Sequence, residues 1–294
     1  MDITLALGGG GTRGAAHIGV LRILENNGFH IRALSGTSIG SIVAAFYAAG
    51  HTPDQIQDIF LSVDQSKLYG WPLSDGAGLL GVRGITEILK KHLGDKTFDD
   101  LKLPCAVVAV DLNSNREIIL QEGCVVDAIL GSIAVPGLFP PKDLDLYRLI
   151  DGGTLDPVPV RSARALFPGL PVIAATLMMP LDTPATPPGV ASAPVSNLLV
   201  QQITRLNITQ AFRVFADAID IISREMAEMR LRIDAPDGII RPDVGGINLL
   251  DKIDVQEIVS RGERATEAVL PDLLRATSLP ARAVRQLRQL VQRD

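Results

Sequence analysis

The chain is short of histidine, cysteine, aromatic residues and positive charge, and each scarcity narrows its chemistry. Histidine occurs only at positions 17, 30, 51 and 92. A hydrolase triad in the chain order serine, carboxylate, histidine needs a late histidine, so that arrangement is excluded. The two cysteines, Cys105 and Cys124, make no disulfide framework. Both are expected as core filler, since free cysteine is mostly buried. The sequence holds no clustered His/Cys/carboxylate ligand set, so no metal is expected. A net charge of -5 gives no electrostatic reason to bind nucleic acid. No run approaches about 18 consecutive apolar residues, so no membrane-spanning helix is expected. The opening Met1-Asp2-Ile3-Thr4 lacks the positive stretch of a signal peptide. The expectation is a cytoplasmic protein, soluble or peripheral at a membrane.

What is present reads as an α/β fold. Hydrophobic residues at 47% and charged residues at 21% exclude a disordered chain. Ile3–Leu7, Ile31–Leu34, Ala106–Val110, Glu117–Leu120, Tyr147–Ile150, Val172–Thr176 and Ile239-Ile240 read as strands. Helices are expected over Ala15–Leu24, Ile39–Ala49, from Pro53 with Thr52 as its cap, over Ile85–Leu93 and Val125–Leu130, then about 197–211, 213–230 and from 255. The alternation of strand and helix predicts a three-layer α/β/α sandwich around a mostly parallel sheet. The expected organisation is a catalytic core over 1–176, a Pro-rich linker or mobile loop over 177–196, a helical continuation over 197–279 and a basic tail over 280–294.

Two glycine-framed sites carry chemistry. Gly36-Thr37-Ser38-Ile39-Gly40 lies between a strand and a helix. A nucleophilic hydroxyl must stand clear of the backbone on a sharp turn, and small neighbours permit the turn and the substrate's approach. An ordinary helix N-cap serine would give the same local pattern. Gly8 to Gly11, then Thr12-Arg13-Gly14, leaves the first strand and opens the first helix. Such a run exposes backbone N–H groups to an anion. It suits an oxyanion hole. Gly9, Gly11 and Gly14 also satisfy the dinucleotide pattern G-x-G-x-x-G. A dinucleotide fold wants an acidic residue at the end of the second strand. That strand instead runs Leu34-Ser35-Gly36-Thr37-Ser38, which argues against a nucleotide. Neighbouring parallel strands end about 5 Å apart, so the glycine loop and Ser38 are expected side by side.

Without a late histidine the base can be a carboxylate that reaches the hydroxyl directly. Asp151-Gly152-Gly153, at the end of the strand Tyr147–Ile150, presents one with little steric cover. An ordinary Asp-Gly turn is the competing reading.

The three motifs in this order resemble the patatin-like phospholipase family, whose pattern is G-G-G-x-[RK]-G, then G-x-S-x-G, then D-G-[GA]. The lead-in Gly14-Ala15-Ala16-His17-Ile18-Gly19-Val20-Leu21 is also similar to the family. So are Ser132-Ile133-Ala134-Val135-Pro136-Gly137-Leu138-Phe139-Pro140-Pro141 and Pro157-Val158-Pro159. The resemblance covers about residues 3–176, and more loosely 239–275. It implies Ser38 as nucleophile, Asp151 as base, the N–H groups of Gly9, Gly10 and Gly11 as oxyanion donors, and Arg13 as the residue that fixes their loop. Gly36 and Gly40 would frame the nucleophile, and Gly152 and Gly153 the acid. The implied activity is hydrolysis of fatty-acyl esters with no metal or organic cofactor. The implied partner is a lipid or acyl-ester substrate, with peripheral membrane contact. A soluble carboxylesterase or thioesterase, an acyl transferase and a nucleotide-binding module are the alternatives.

Two segments raise a membrane question. Leu68, Tyr69, Trp71, Pro72, Leu73, Leu79 and Leu80 crowd a glycine-rich loop. It reads either as an acyl entrance and membrane lip or as core cover. Arg282, Arg285, Arg288 and Arg293 share the tail with apolar residues at helical spacing, fitting a helix on anionic lipid or a solvated terminal helix.

Overall fold

Strand β1 (Asp2–Leu7) sets the layering. Ile3, Leu5 and Leu7 belong to one buried cluster and Ala6 to another, because successive side chains of a strand face opposite ways. The computed structural model describes residues 1–65, 68, 80–180 and 218–278. Among them, eight strands form one mixed sheet. After β1 come β2 (His30–Thr37), β3 (Cys105–Asp111), β4 (Arg116–Leu120), β5 (Lys142–Leu144), β6 (Tyr147–Asp151), β7 (Val172–Ala175) and β8 (Gly238–Ile240). The pairs β1·β2, β2·β3, β1·β7 and β7·β8 are parallel. β3·β4, β3·β6 and β5·β6 are antiparallel. The mostly parallel expectation therefore holds for the β2-β1-β7-β8 side and gives way to hairpins beyond β3.

Helices cover both faces. α1 (Ala16–Asn26), α2 (Ile39–Ala48), α3 (Pro53–Ser62), α4 (Arg83–Leu93) and α5 (Val125–Ser132) contribute to the larger cluster. α6 (Val160–Leu166) and α7 (218–234) pack with Val158, Val172 and Ala174 on the other face. α8 (Val255–Ala276) returns to the larger cluster and crosses α1. That crossing is close because a Cβ on Gly19 or Gly262 would strike the opposing backbone, at Val259 and Ala16 respectively. α3 starts where its sequence says: Thr52 accepts from Gln55 N–H at 3.2 Å, Gln55 returns a bond to Thr52 N–H, and Pro53 needs no N–H partner.

Cys105 is buried and Cys124 half-buried at the N-cap of α5. Burial pushes the Cys105 thiol up to about 12, so it stays protonated and acts as packing. Leu177 and Met178, at the start of the stretch read as linker, are buried. Residues 181–196, the 197–211 helix and the basic tail lie outside the described residues. So does the apolar loop except Leu68 and Leu80, of which Leu80 donates its N–H to Leu138 at 2.9 Å. Among the described residues no helix is long and apolar enough to cross a membrane.

Candidate active site

The site forms where two strands meet head-on. Along β3, β2 pairs with Cys105 to Val108, and β6 pairs with Ala109 to Asp111. β4 runs continuously beside Val107 to Asp111, so it occupies the other edge. β2 and β6 therefore share one edge of β3 and run toward each other. Thr37 pairs with Val108 and Asp151 with Ala109. This register delivers the C-terminal tips of both strands to one point.

At that point Ser38 Oγ donates to Asp151 Oδ2 at 2.6 Å. The other carboxylate oxygen accepts Gly153 N–H at 2.7 Å, and Asp151 N–H donates to Ala134 C=O at 2.9 Å. Asp151 is 6% and Ser38 8% exposed. Burial pushes the Asp151 carboxyl up to about 6, against the opposing pull of the bonds from Ser38 and Gly153. At neutral pH it is ionised but more basic than a surface aspartate, as a proton acceptor requires.

Ser38 has φ 54 and ψ -127, a conformation that costs a non-glycine residue on the order of 1–3 kcal/mol. Its neighbours hold it there. Ser38 N–H donates to Ser132 Oγ at 2.9 Å, and Ser132 Oγ donates to Val108 C=O at 2.6 Å. Ser38 C=O accepts from Ser41 N–H at 2.9 Å and from Ser41 Oγ at 2.6 Å. Gly36 and Gly40 face one another across the turn, so a Cβ at Gly36 would meet the Gly40 backbone, and one at Gly40 the backbone of Leu7. Ser132 and Ser41 were not read from sequence as part of the site. Ser41 follows the elbow motif and Ser132 opens the family-like stretch, but neither has a role until the fold brings it to Ser38.

The glycine loop lies alongside. β1 and β2 are parallel neighbours with Leu7 beside Gly36, and a Cβ placed on Gly9 would stand 3.2 Å from Ser38 Cβ. Gly9 N–H donates to Pro157 C=O at 3.0 Å. In this structure the Gly9 N–H, expected as an oxyanion donor, anchors the loop to the 151–157 segment. The N–H groups of Gly10 and Gly11 have no acceptor among the described residues. Arg13 is 2% exposed, so it is not a surface ion pair. Its Nε donates to Gly10 C=O at 2.9 Å, and its Nη2 meets Asp220 Oδ1 of α7 at 3.4 Å. In a trans peptide the C=O and the next N–H point oppositely, so holding Gly10 C=O turns the Gly11 N–H away from Arg13. Fully buried His17 bonds Gly8 C=O through Nε2 at 2.8 Å. Burial drives its pKa down to about 4, so it is a neutral strut for the loop.

The segment 151–157 ties these parts together. Asp156 C=O accepts from Thr37 Oγ1 at 2.9 Å, and Pro157 C=O holds Gly9. Behind the segment, Arg230 of α7 donates through Nε to Leu155 C=O at 3.0 Å. Arg230 also lies 2.6 Å from Glu117, 3.7 Å from Asp234 and 3.9 Å from Asp156. Asp156 is fully buried, and its carboxylate has no hydrogen-bond partner among the described residues. Burial and the nearby Glu117 charge push it up to about 7, with Arg230 opposing.

In front of Ser38 opens an apolar cavity. α2 supplies Ile39, Ile42 and Phe46, α3 Ile59 and Phe60, and α4 Ile85, Ile88 and Leu89. Ile133, Val135 and Phe139 line another side, and Leu249, Leu250 and Ile253 a third. Leu68, from the loop read either as an acyl entrance or as core cover, also lines it. Among the described residues no group of three His, Cys, Asp or Glu side chains could hold a metal ion.

Fold and site together define an α/β protein with a serine on a strained strand-to-helix turn, bonded to a buried carboxylate. The chain belongs to the patatin-like phospholipase family, whose family model matches residues 5–164. It is 36% identical over 160 residues to an NTE family protein of Mycobacterium tuberculosis, covering 54% of this chain and 44% of that one. To a second NTE family protein of the same organism it is 28% identical, covering 93% of this chain and 48% of that protein. The chain thus spans about half the length of the curated relatives it matches. Its fold is similar to that of VipD from Legionella pneumophila, with a TM-score of 0.50 at 14% identity, over 92% of this chain and 66% of that one.

Proposed function

We propose that this chain is a serine acyl-hydrolase of phospholipase A type that cleaves fatty-acyl esters with Ser38 and Asp151. The observation that carries the reading is the 2.6 Å bond from Ser38 Oγ to a buried carboxylate at the wall of an apolar cavity. Family membership supports the lipid class of substrate. In this reaction Ser38 Oγ attacks the ester carbonyl carbon while its proton passes to Asp151 Oδ2. The carbonyl oxygen becomes an oxyanion and takes hydrogen bonds from the N–H groups of Gly10 and Gly11. The intermediate then collapses. The ester C–O bond breaks, and Asp151 returns the proton to the departing alkoxide. Water, losing a proton to Asp151, attacks the acyl-serine. The acid leaves, and Ser38 recovers its proton.

The lining favours a lipid chain over a polar acyl group. Among the described residues its polar side chains are Thr12, Ser38 and Gln65. Thr12 Oγ1 is bonded to Asn248 C=O, and both ends of the Gln65 amide are bonded to Ile253. Among the described lining side chains this leaves the Ser38 hydroxyl, beside the Gly11 backbone, to meet the polar end of a substrate. The test is hydrolysis of p-nitrophenyl esters and of phospholipid by wild type, Ser38→Ala and Asp151→Asn, with labelling by a fluorophosphonate. Activity and labelling that vanish in Ser38→Ala support the reading. Equal activity in all three proteins overturns it.

A further inference from the structure

We infer that Phe46 closes the far end of the cavity and acts as a chain-length stop, which makes medium-chain acyl groups the preferred substrates. This rests on the acyl-hydrolase reading and adds to it a limit on what the site accepts. Ser38 caps the N-terminus of α2, Ile42 and Phe46 follow it at four-residue steps inside the helix, and all three line the cavity. Residues at that spacing share a helix face. An acyl chain on Ser38 would therefore run along α2, over Ile42 and toward Phe46.

The burial gradient marks which end is closed. Phe46 and Leu89 are each 1% exposed and are among the deepest lining residues. Phe60, Val63, Gln65 and Leu68, also lining the cavity, are only half-buried. The Phe46 ring is itself packed against polar rings. His51 and His92 pack edge-on against Phe46, with ring centroids at 5.8 and 6.0 Å. Both histidines are half-buried. An alkyl chain pushed past Phe46 would have to desolvate two imidazoles, which an alkyl group cannot satisfy.

The length follows from helix geometry. Eight residues at about 1.5 Å each put Phe46 about 12 Å along the axis from Ser38. C–C bonds of about 1.5 Å in a zigzag advance roughly 1.3 Å per carbon. The channel therefore accepts on the order of eight to ten carbons before meeting the Phe46 ring. A longer chain must bend back or leave its end in water, forgoing the transfer free energy of the methylenes left outside.

The experiment is kcat/KM for p-nitrophenyl esters from four to sixteen carbons, kept below their aggregation concentrations. The proteins are wild type, Phe46→Ala, Phe46→Leu, Ile42→Phe and Ser38→Ala. Wild type should peak near eight to ten carbons, with the fourteen-carbon ester at about a tenth of the peak or less. Phe46→Ala should move the optimum up by about three to four carbons, and Phe46→Leu by less. Ile42→Phe puts a ring one turn nearer Ser38 and should move the optimum down to about four to six carbons. If loss of the ring prevents Phe46→Ala from folding, Phe46→Leu and Ile42→Phe still give the opposed shifts. Ser38-dependent hydrolysis with superimposable profiles in all folded variants overturns the chain-length stop and leaves the hydrolase reading intact. No Ser38-dependent hydrolysis of any ester overturns both.

Discussion

Asp151 and Asp156 are two buried carboxylates on one short segment, and their surroundings divide them. Asp151 takes bonds from Ser38 Oγ, which lines the cavity, and from Gly153 N–H. Asp156 has no hydrogen-bond donor among the described residues and answers Arg230 at 3.9 Å, in a group with Glu117 and Asp234. Burial raises both, to about 6 and about 7. A perturbed carboxylate is thus no mark of catalysis by itself. What separates them is a hydroxyl within bonding distance and open space beside it. Asp156 contributes to the site through its backbone, whose C=O steadies Thr37, while its side chain belongs to the charge network behind.

The sharpest break in this comparison is Asp151→Asn. It should lower kcat/KM by about 10³-fold or more, as loss of a general base does. The same variant should be more stable than wild type at pH 8, by about 1–3 kcal/mol in urea unfolding. The sign follows from the raised pKa. The folded state disfavours the charged form, so stability falls as pH rises from the unfolded value near 3.8 through about 6. Asparagine has no charge to bury. A variant that lost both activity and stability would mean that Asp151 is chiefly a structural anchor.

The pH dependence separates the two acids next. In the proposed mechanism ionised Asp151 is the active form, so kcat/KM should fall about tenfold per pH unit below an apparent pKa near 6. The limb should remain in Asp156→Asn. A limb that disappeared in that variant would assign the titration to Asp156.

Ser132→Ala should have a middling effect. It leaves Ser38 N–H without its acceptor, costing about 1–3 kcal/mol of stability. It should lower kcat roughly tenfold with KM little changed, because the elbow loosens while the cavity is untouched. Ser132→Thr keeps the hydroxyl and should recover most of kcat. Equal kinetics in alanine and threonine variants would remove Ser132 from the positioning role.

Asp156→Asn should change activity least, within about threefold. Its stability gain over wild type should be absent near pH 4, grow toward pH 7 and then level off, reaching about 1–2 kcal/mol. A loss of stability at pH 8 would mean that the ion pair with Arg230 outweighs the burial cost.

Much of this was legible in sequence because it is local. Thr52, Pro53 and Gln55 specify a helix start within four residues. Gly36 and Gly40 specify a tight turn around Ser38, and Leu7 followed by glycines marks a strand running into a backbone-rich loop. The carboxylate partner was legible only as a strand-tip aspartate next to glycines, a pattern shared with ordinary turns. The engagement of Gly9 by Pro157 was not legible, since it joins residues 148 positions apart in the chain through backbone atoms that every residue carries.

The sequence by itself determined a serine on a glycine-framed turn, a glycine-rich loop one strand away, and the absence of a late histidine. These follow from residue identity and short spacing. Only the tertiary structure decided that β6 runs antiparallel on β3 and meets β2 end to end, bringing Asp151 to Ser38. It also decided that α2, α3, α4 and the 249–255 segment close around a single cavity. Strand direction and cavity walls depend on contacts between distant residues, and their apolar side chains carry the same pattern whether they fill a core or line a space.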